Sequence, residues 1–385
     1  MVRAVDLPLV TSIKEFLVTS EPVPGTPLGP RRATIDSVIS VPVDIPTGLT
    51  GAITLRTILL DSQVSRMLRG TGNGSTDAAA RIAETAKFQE ILNTGRSFAI
   101  PEPLVTYAVN SLSPVWGQLI VGSGQFHGPQ ATQPHLFTGN GVDPVFLIGD
   151  GTGNPRWITI RDLSIFNNGG KCVYANTAPN LIIDQCRITS VNAHAIDMIL
   201  CYRAKIVSSY ISTGGAFTAI RGLNNINGLE ISQCTITGGP FGRAIQIGQS
   251  QGIRINNNIV ESSLDGIWVG STSDSGDGNC NGVEVNNNYI EQCSTPIVLA
   301  KRFSVFGLSC LSNYIGNSIP SVVSARAGAI TFGRIRSATV KNNAAYFYTS
   351  WATGDVVGSG VYRKNGANIY PVSYTHLTLP TICSV

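Results

Sequence analysis

From Trp157 onward, apolar and polar residues recur with a period of roughly two dozen positions. Each copy opens on an apolar-x-apolar run. Five such runs are Ile158 to Ile160, Leu181 to Ile183, Leu229 to Ile231, Ile253 to Ile255 and Val283 to Val285. A short polar turn follows, often rich in Asn, and then an apolar residue at Ile165, Ile188, Ile211, Ile236, Val260, Ile290, Ile315 and Ala345. Later in each copy a small residue precedes an apolar one: Cys172-Val173, Ala195-Ile196, Ala219-Ile220, Ala244-Ile245, Gly266-Ile267 and Pro296-Ile297. The first series steps by 23 to 30 residues and the second by 22 to 30. Two phases that stay locked over six copies predict stacked units.

The runs alternate over two to four residues, which is strand spacing and too short for a helical pattern. In Leu229-Glu230-Ile231 the apolar side chains share one face. The count then slips by one between Ile231 and Cys234, which predicts a corner. Asp184-Gln185, Asn256-Asn257 and Asn286-Asn287 occupy the corners, and such residues tolerate left-handed backbone. One copy is therefore about three short strands joined by corners, stacked at about 4.8 Å on the next.

Two positions before the locked apolar column stand Leu163, Cys186, Ser209, Cys234, Asn258, Asn288, Asn313 and Asn343. By parity they face inward, and four successive Asn can bond from rung to rung. This asparagine ladder resembles that of right-handed parallel β-helices of the pectate-lyase-like superfamily, over about residues 115–371. The resemblance implies an all-β fold, a single-stranded solenoid of about 8–10 rungs with an N-terminal capping helix.

Residues 71–114 read as an entry segment with a capping helix. Ser75 or Thr76 is the expected N-cap, Asp77 favours the first turn and Gly95 is the expected stop. Ala79, Ile82, Ala83, Ala86 and Leu92 form the expected apolar face. Glycine-rich turn, helix, extended run and Gly117–Gly124 follow in the order seen in pectate-lyase-like coils, including phage tailspikes. The glycine-rich turn lacks the Gly-Lys-Ser/Thr ending of a phosphate loop. Residues 1–70 are an N-terminal lead-in or attachment segment, with a linker at Pro22–Pro30 and strand-like alternation over Thr34–Leu60. The stretch from Val372 to Thr381 resembles the translated end of a transposase adapter from sequencing libraries. Residues 372–385 are therefore expected to contribute nothing to the fold, and the natural chain to continue.

Composition narrows the function. Charged residues are 13% and the net charge is +4, with no basic stripe, which argues against nucleic acid as partner. No run reaches the length of a membrane span. Asp6, Pro8, Lys14 and Glu15 break the apolar stretch of Met1–Leu17, so no signal peptide is expected. The eight Cys show no zinc spacing and read mostly as small core residues.

Chemistry must then use outward positions or loops. One residue after each small-apolar dipeptide stand Asp197, Arg221, Gln246, Trp268 and Val298. Two residues before its apolar member stand His194, Thr218, Arg243, Asp265 and Thr295. Carboxylate, guanidinium, amide and indole on one wall suit a sugar acid. An ordinary rung-to-rung surface ion pair of Asp197 with Arg221 is the competing reading. The stretch Ile183 to Cys186 followed by His194 to Asp197 resembles the pectate lyase segment that bears a calcium-binding aspartate. That likeness implies Asp197 as a Ca²⁺ ligand and Arg221 as a catalytic base. A hydrolase would instead pair Asp197 with Asp265 or Glu261. Asp274 and Asp277, in the insertion Ser271–Cys280, are weaker Ca²⁺ candidates. Trp268, Arg243, Gln246 and His194 are the expected substrate contacts. The whole resembles a phage tail spike or surface depolymerase, which implies a polysaccharide partner, an extracellular or virion-associated location and a homotrimer. A non-enzymatic adhesin or structural spike is the alternative.

Overall fold

The computed structural model describes residues 68, 70–101, 103–122, 136–149, 151, 157–270, 279–316, 330–345 and 369–371. The attachment segment, the terminal segment and the loop carrying Asp274 and Asp277 lie almost wholly outside them.

Every apolar-x-apolar run stacks in parallel on its counterpart in the next copy. On the first face Ile160, Ile183, Ile206, Ile231, Ile255, Val285 and Cys310 lie directly above one another. On the second face the locked column runs Ile165, Ile188, Ile211, Ile236, Val260, Ile290, Ile315 and Ala345. On the third it runs Val173, Ile196, Ile220, Ile245, Ile267, Ile297 and Ile330. Nearly all these side chains are fully buried and meet along the axis as one core. The regular coil makes about seven turns. Short strands at Phe98–Ala99 and Leu119–Val121 below it, and Ile330–Lys341 above it, carry the stack towards the expected rung count.

The parity slip between the first and second faces is a single left-handed residue. Gln185, Ser208, Gln233, Asn257, Asn287, Ser312 and Asn342 hold φ between 48° and 59°. Just past it the inward Asn column forms. The Asn258 side-chain amide donates to Asn288 Oδ1 (3.0 Å), Asn288 to Asn313 (3.0 Å), and Asn313 to Asn343 (2.8 Å). Each amide also donates to a backbone carbonyl, and Oδ1 of Asn288 accepts in addition from the Asn258 N–H. Lower in the column Ser209 and Cys186 take the place of Asn, the Cys186 N–H donating to Ser209 Oγ. Seven cysteines among the described residues are free and buried. Burial pushes the thiols of Cys186, Cys234 and Cys310 up to about 12, so they stay protonated core groups.

The helix spans Ala78–Asn93. Its N-cap is Asp77 rather than Ser75 or Thr76, because the Asp77 carboxylate accepts from the N–H groups of both Ala79 and Ala80. Gly95 ends it at φ 70°. The expected apolar face is also corrected. Ala79, Ile82, Ala83 and Ala86 point to solvent, while Phe88, Ile91 and Leu92 are buried. Beside them polar hooks reach the open end of the coil: Glu84, Thr85 and Gln89 accept from the N–H groups of Ala108, Asn110 and Ser113. A weakly amphipathic helix thus covers an edge whose unpaired donors would otherwise invite another strand. Among the described residues no helix is long and apolar enough to cross a membrane.

Candidate functional site

The outward columns of the third face stack in the expected register. Asp197, Arg221, Gln246, Trp268 and Val298 are aligned neighbours, as are Thr218, Arg243, Asp265 and Thr295. Gly242 lets the chain cross tightly from the second face into this wall. A Cβ there would stand 1.9 Å from the Phe217 carbonyl oxygen, and the next N–H, of Arg243, donates to that oxygen.

Outward does not mean exposed. Asp197 is 0% exposed and Trp268 5%. Arg221 grips Asp197 with a two-pronged fork, Nε to Oδ1 and Nη2 to Oδ2, each 2.8 Å. Lys171 Nζ closes on Oδ2 at 2.6 Å while lying 4.2 Å over the Tyr174 ring. The expected surface ion pair is thus a buried carboxylate under two cations. Burial would raise the Asp197 carboxyl, but the hydrogen bonds from Arg221 and Lys171 outweigh it and hold it below the usual carboxylate range. Two rungs up the same device recurs. Arg243 donates to Asp265 (2.9 Å) and covers the Trp268 ring at 4.3 Å. Between them Thr218 Oγ1 bonds Gln246 Oε1 at 3.1 Å.

This geometry bears on each of the expected chemistries. Arg243 already occupies the Trp268 face, so the indole is not an open platform for a sugar. Arg221, expected as the base, has both Nε and Nη2 engaged by Asp197. Both Asp197 oxygens face fixed cations, so a Ca²⁺ ion does not fit there. Among the described residues no cluster of three metal-type ligands forms. Asp197 and Asp265 sit three rungs apart, about 14 Å at strand spacing, too far for a paired-carboxylate mechanism. Glu261 lies on the second face, beside Thr237 and Glu291.

Lys171 and Tyr174 are the residues that reading the sequence missed. They hold the same two positions around Cys172-Val173 that His194 and Asp197 hold around Ala195-Ile196. Carrying the column one copy towards the N-terminus finds both.

His194 Nδ1 accepts from the Thr218 N–H at 2.9 Å, which leaves the ring proton on Nε2. Burial, with Arg221 adding to it, lowers its pKa from 6.5 to about 4. A neutral folded His and a protonated unfolded one make the protein less stable as pH falls from 6.5 towards 4. His194→Asn keeps an acceptor for Thr218 and removes the titration. Its melting temperature should therefore change less with pH across that window than the wild type's, in scanning calorimetry.

The model of the family described as "Right handed beta helix region" matches residues 145–300. With the parallel registers above, that decides the architecture. The fold is a right-handed parallel β-helix. A comparison with curated proteins gave no match. Among solved structures, the β-helix is similar to the surface protein and adhesin PfbA of Streptococcus pneumoniae. The two share 12% identity and a TM-score of 0.46, over 81% of this chain and 99% of that one. It is similar to the Dettilon tailspike protein at 13% identity and TM-score 0.42, over 80% and 67%. It is also similar to an exopolygalacturonase from Thermotoga maritima at 9% and 0.38, over 75% and 96%.

Proposed function

We propose that this β-helix is a polysaccharide-binding protein whose third face holds an acidic glycan, and that the face binds rather than cleaves. One observation carries the reading. Three cations, Lys171, Arg221 and Arg243, face two carboxylates, Asp197 and Asp265, and His194 is neutral at pH 7. The wall keeps one surplus positive charge. The cations keep their outer edges in solvent, Lys171 and Arg243 at 32% and Arg221 at 25%, while the carboxylates lie beneath. A polyanion meets donors first. Each carboxylate is neutralised by its cation, which supports binding over acid-base chemistry.

Lys171→Met removes the surplus charge and leaves the Arg221 fork on Asp197 intact. Affinity electrophoresis through polygalacturonate or alginate should show roughly tenfold weaker retention for this variant, with loss in salt. Equal retention of wild-type protein and Lys171→Met by polygalacturonate would sink the acidic-glycan reading. Release of unsaturated uronates or reducing ends from the same polymers would overturn binding without cleavage. The fully paired wall also favours the rival, a structural or adhesive spike with no glycan on this face, and an absence of retention supports it. A virion or cell surface as location and a homotrimer as assembly belong to the same proposal, on the likeness of the sequence to tailspikes. Light scattering that finds a monomer would count against the trimer.

A further inference from the structure

The second face carries two outward columns that the acidic-glycan reading does not use. One runs Tyr210, Thr235, Ile259, Tyr289, Tyr314 and Ala344. Two residues along, the other runs Thr189, Ser212, Thr237, Glu261, Glu291 and Gly316. The first is largely apolar and is exposed from Ile259 upward: Ile259 is 45%, Tyr289 39% and Tyr314 43% open to solvent. The second bears only hydroxyls and carboxylates up to Glu291. Arg187, 5% exposed, stands below Tyr210 in the first column, and from Tyr210 and Ser212 upward neither column holds a Lys or Arg.

The upper end is organised. The Tyr289 and Tyr314 rings stack with centroids 5.2 Å apart and planes 10° apart. Tyr289 is pinned, its hydroxyl donating to Glu291 Oε2 at 2.9 Å. Gly316 stands where Glu261 and Glu291 stand on the rungs below. A Cβ at Gly316 would meet the Tyr314 ring at 3.0 Å, so the missing side chain lets that ring lie across the wall. On the rung above, Ala344 is too short to cover it.

We propose that this strip is a second carbohydrate site, separate from the third face, that takes a neutral, hydroxyl-rich glycan laid along the coil axis. A pyranose has an apolar C–H face and a rim of hydroxyls. The Tyr289–Tyr314 pair offers fixed rings to the first, and Glu261, Glu291, Thr237 and Ser212 offer acceptors to the second. The rings cost little to order, because stacking and the Glu291 bond already hold them. Adjacent carboxylates at Glu261 and Glu291, with no cation in either column above Arg187, reject an acidic polymer, the opposite selectivity to the third face. The exposed apolar part spans two rung steps, about 10 Å. That is small against the roughly 800 Å² per partner of a stable protein interface, so a sugar chain fits it better than a second copy.

The test uses the full chain on an array of neutral and acidic glycans, followed by calorimetric titration of the best neutral oligosaccharide. Retention of a neutral glycan is expected. Tyr314→Ala should weaken it roughly tenfold, Glu291→Gln should weaken it by less, and Lys171→Met should leave it unchanged. Tyr314 is exposed and Glu291 half-buried, and matching melting temperatures confirm an intact coil in both variants. The proposal is overturned if no neutral glycan is retained, or if Tyr314→Ala binds as the wild type does. It is equally overturned if Tyr314→Ala changes only the molecular mass in light scattering, which would make the strip a contact between copies. Failure of the third-face reading shows separately, as loss of the Lys171→Met effect on polygalacturonate.

Discussion

Replacing Asn288 by Leu should cost about 4 kcal/mol of stability, one of the two largest effects expected from a single change in this coil. Asn288 is 1% exposed and makes four ladder contacts. Its Oδ1 accepts from the Asn258 N–H and side-chain amide, and its own amide donates to Ile255 O and Asn313 Oδ1. Leucine fills the space but strands two donors of Asn258 and the carbonyl of Ile255 away from water. Each buried orphan costs about 1–3 kcal/mol, partly offset by the added apolar burial. Asn257 is the control. It is exposed at φ 59° and supplies backbone conformation, so Asn257→Ala should cost only about 1 kcal/mol. Urea denaturation followed by circular dichroism checks both. Equal losses at the two positions would mean that the ladder contributes no more than a corner residue does.

Arg221→Leu is the second large effect, expected to cost about 3 kcal/mol. Asp197 would lose both prongs of its fork and keep only Lys171, with its carboxylate still out of water. The pH dependence gives the loss a signature. In the wild type the Asp197 carboxyl is held below its ordinary 3.8, so its stabilisation is present above that value and fades as pH falls through the lower one. In the variant burial dominates and the carboxyl rises, so acid protonates it in the folded state. The gap between variant and wild type should therefore narrow as pH falls through the carboxylate range. Asp197→Asn in the Arg221→Leu background should recover most of the loss at neutral pH. A gap that is independent of pH, or no recovery in the double variant, would contradict the buried-carboxylate account.

The architecture was legible because its signals are local and repeated. A strand pattern such as Leu229-Glu230-Ile231, a corner at Gln233 and the inward Asn column are each set by side-chain parity and by residues that tolerate positive φ. The helix was legible in place but not in face. Its docking relies on Glu84, Thr85 and Gln89 reaching backbone donors, which no apolar period reveals. The third-face columns were legible as alignment, and the contact of Asp197 with Arg221 followed from it. The depth of that contact was not. Lys171 from the rung below and Arg243 beside Trp268 cover the wall, and this cover turns an outward carboxylate and indole into buried groups.

By itself, the sequence determined the stack: the period, the three strand faces, the corners and the residues that share a column. These depend on which way a side chain points, and strand parity settles that within a few residues. Only the tertiary structure decided how the outward groups are covered. Whether Asp197 is a ligand, a base's partner or a neutralised anchor depends on which long side chains fold over it from neighbouring rungs. Lys and Arg have the reach to make any of these true, and packing in three dimensions selects among them.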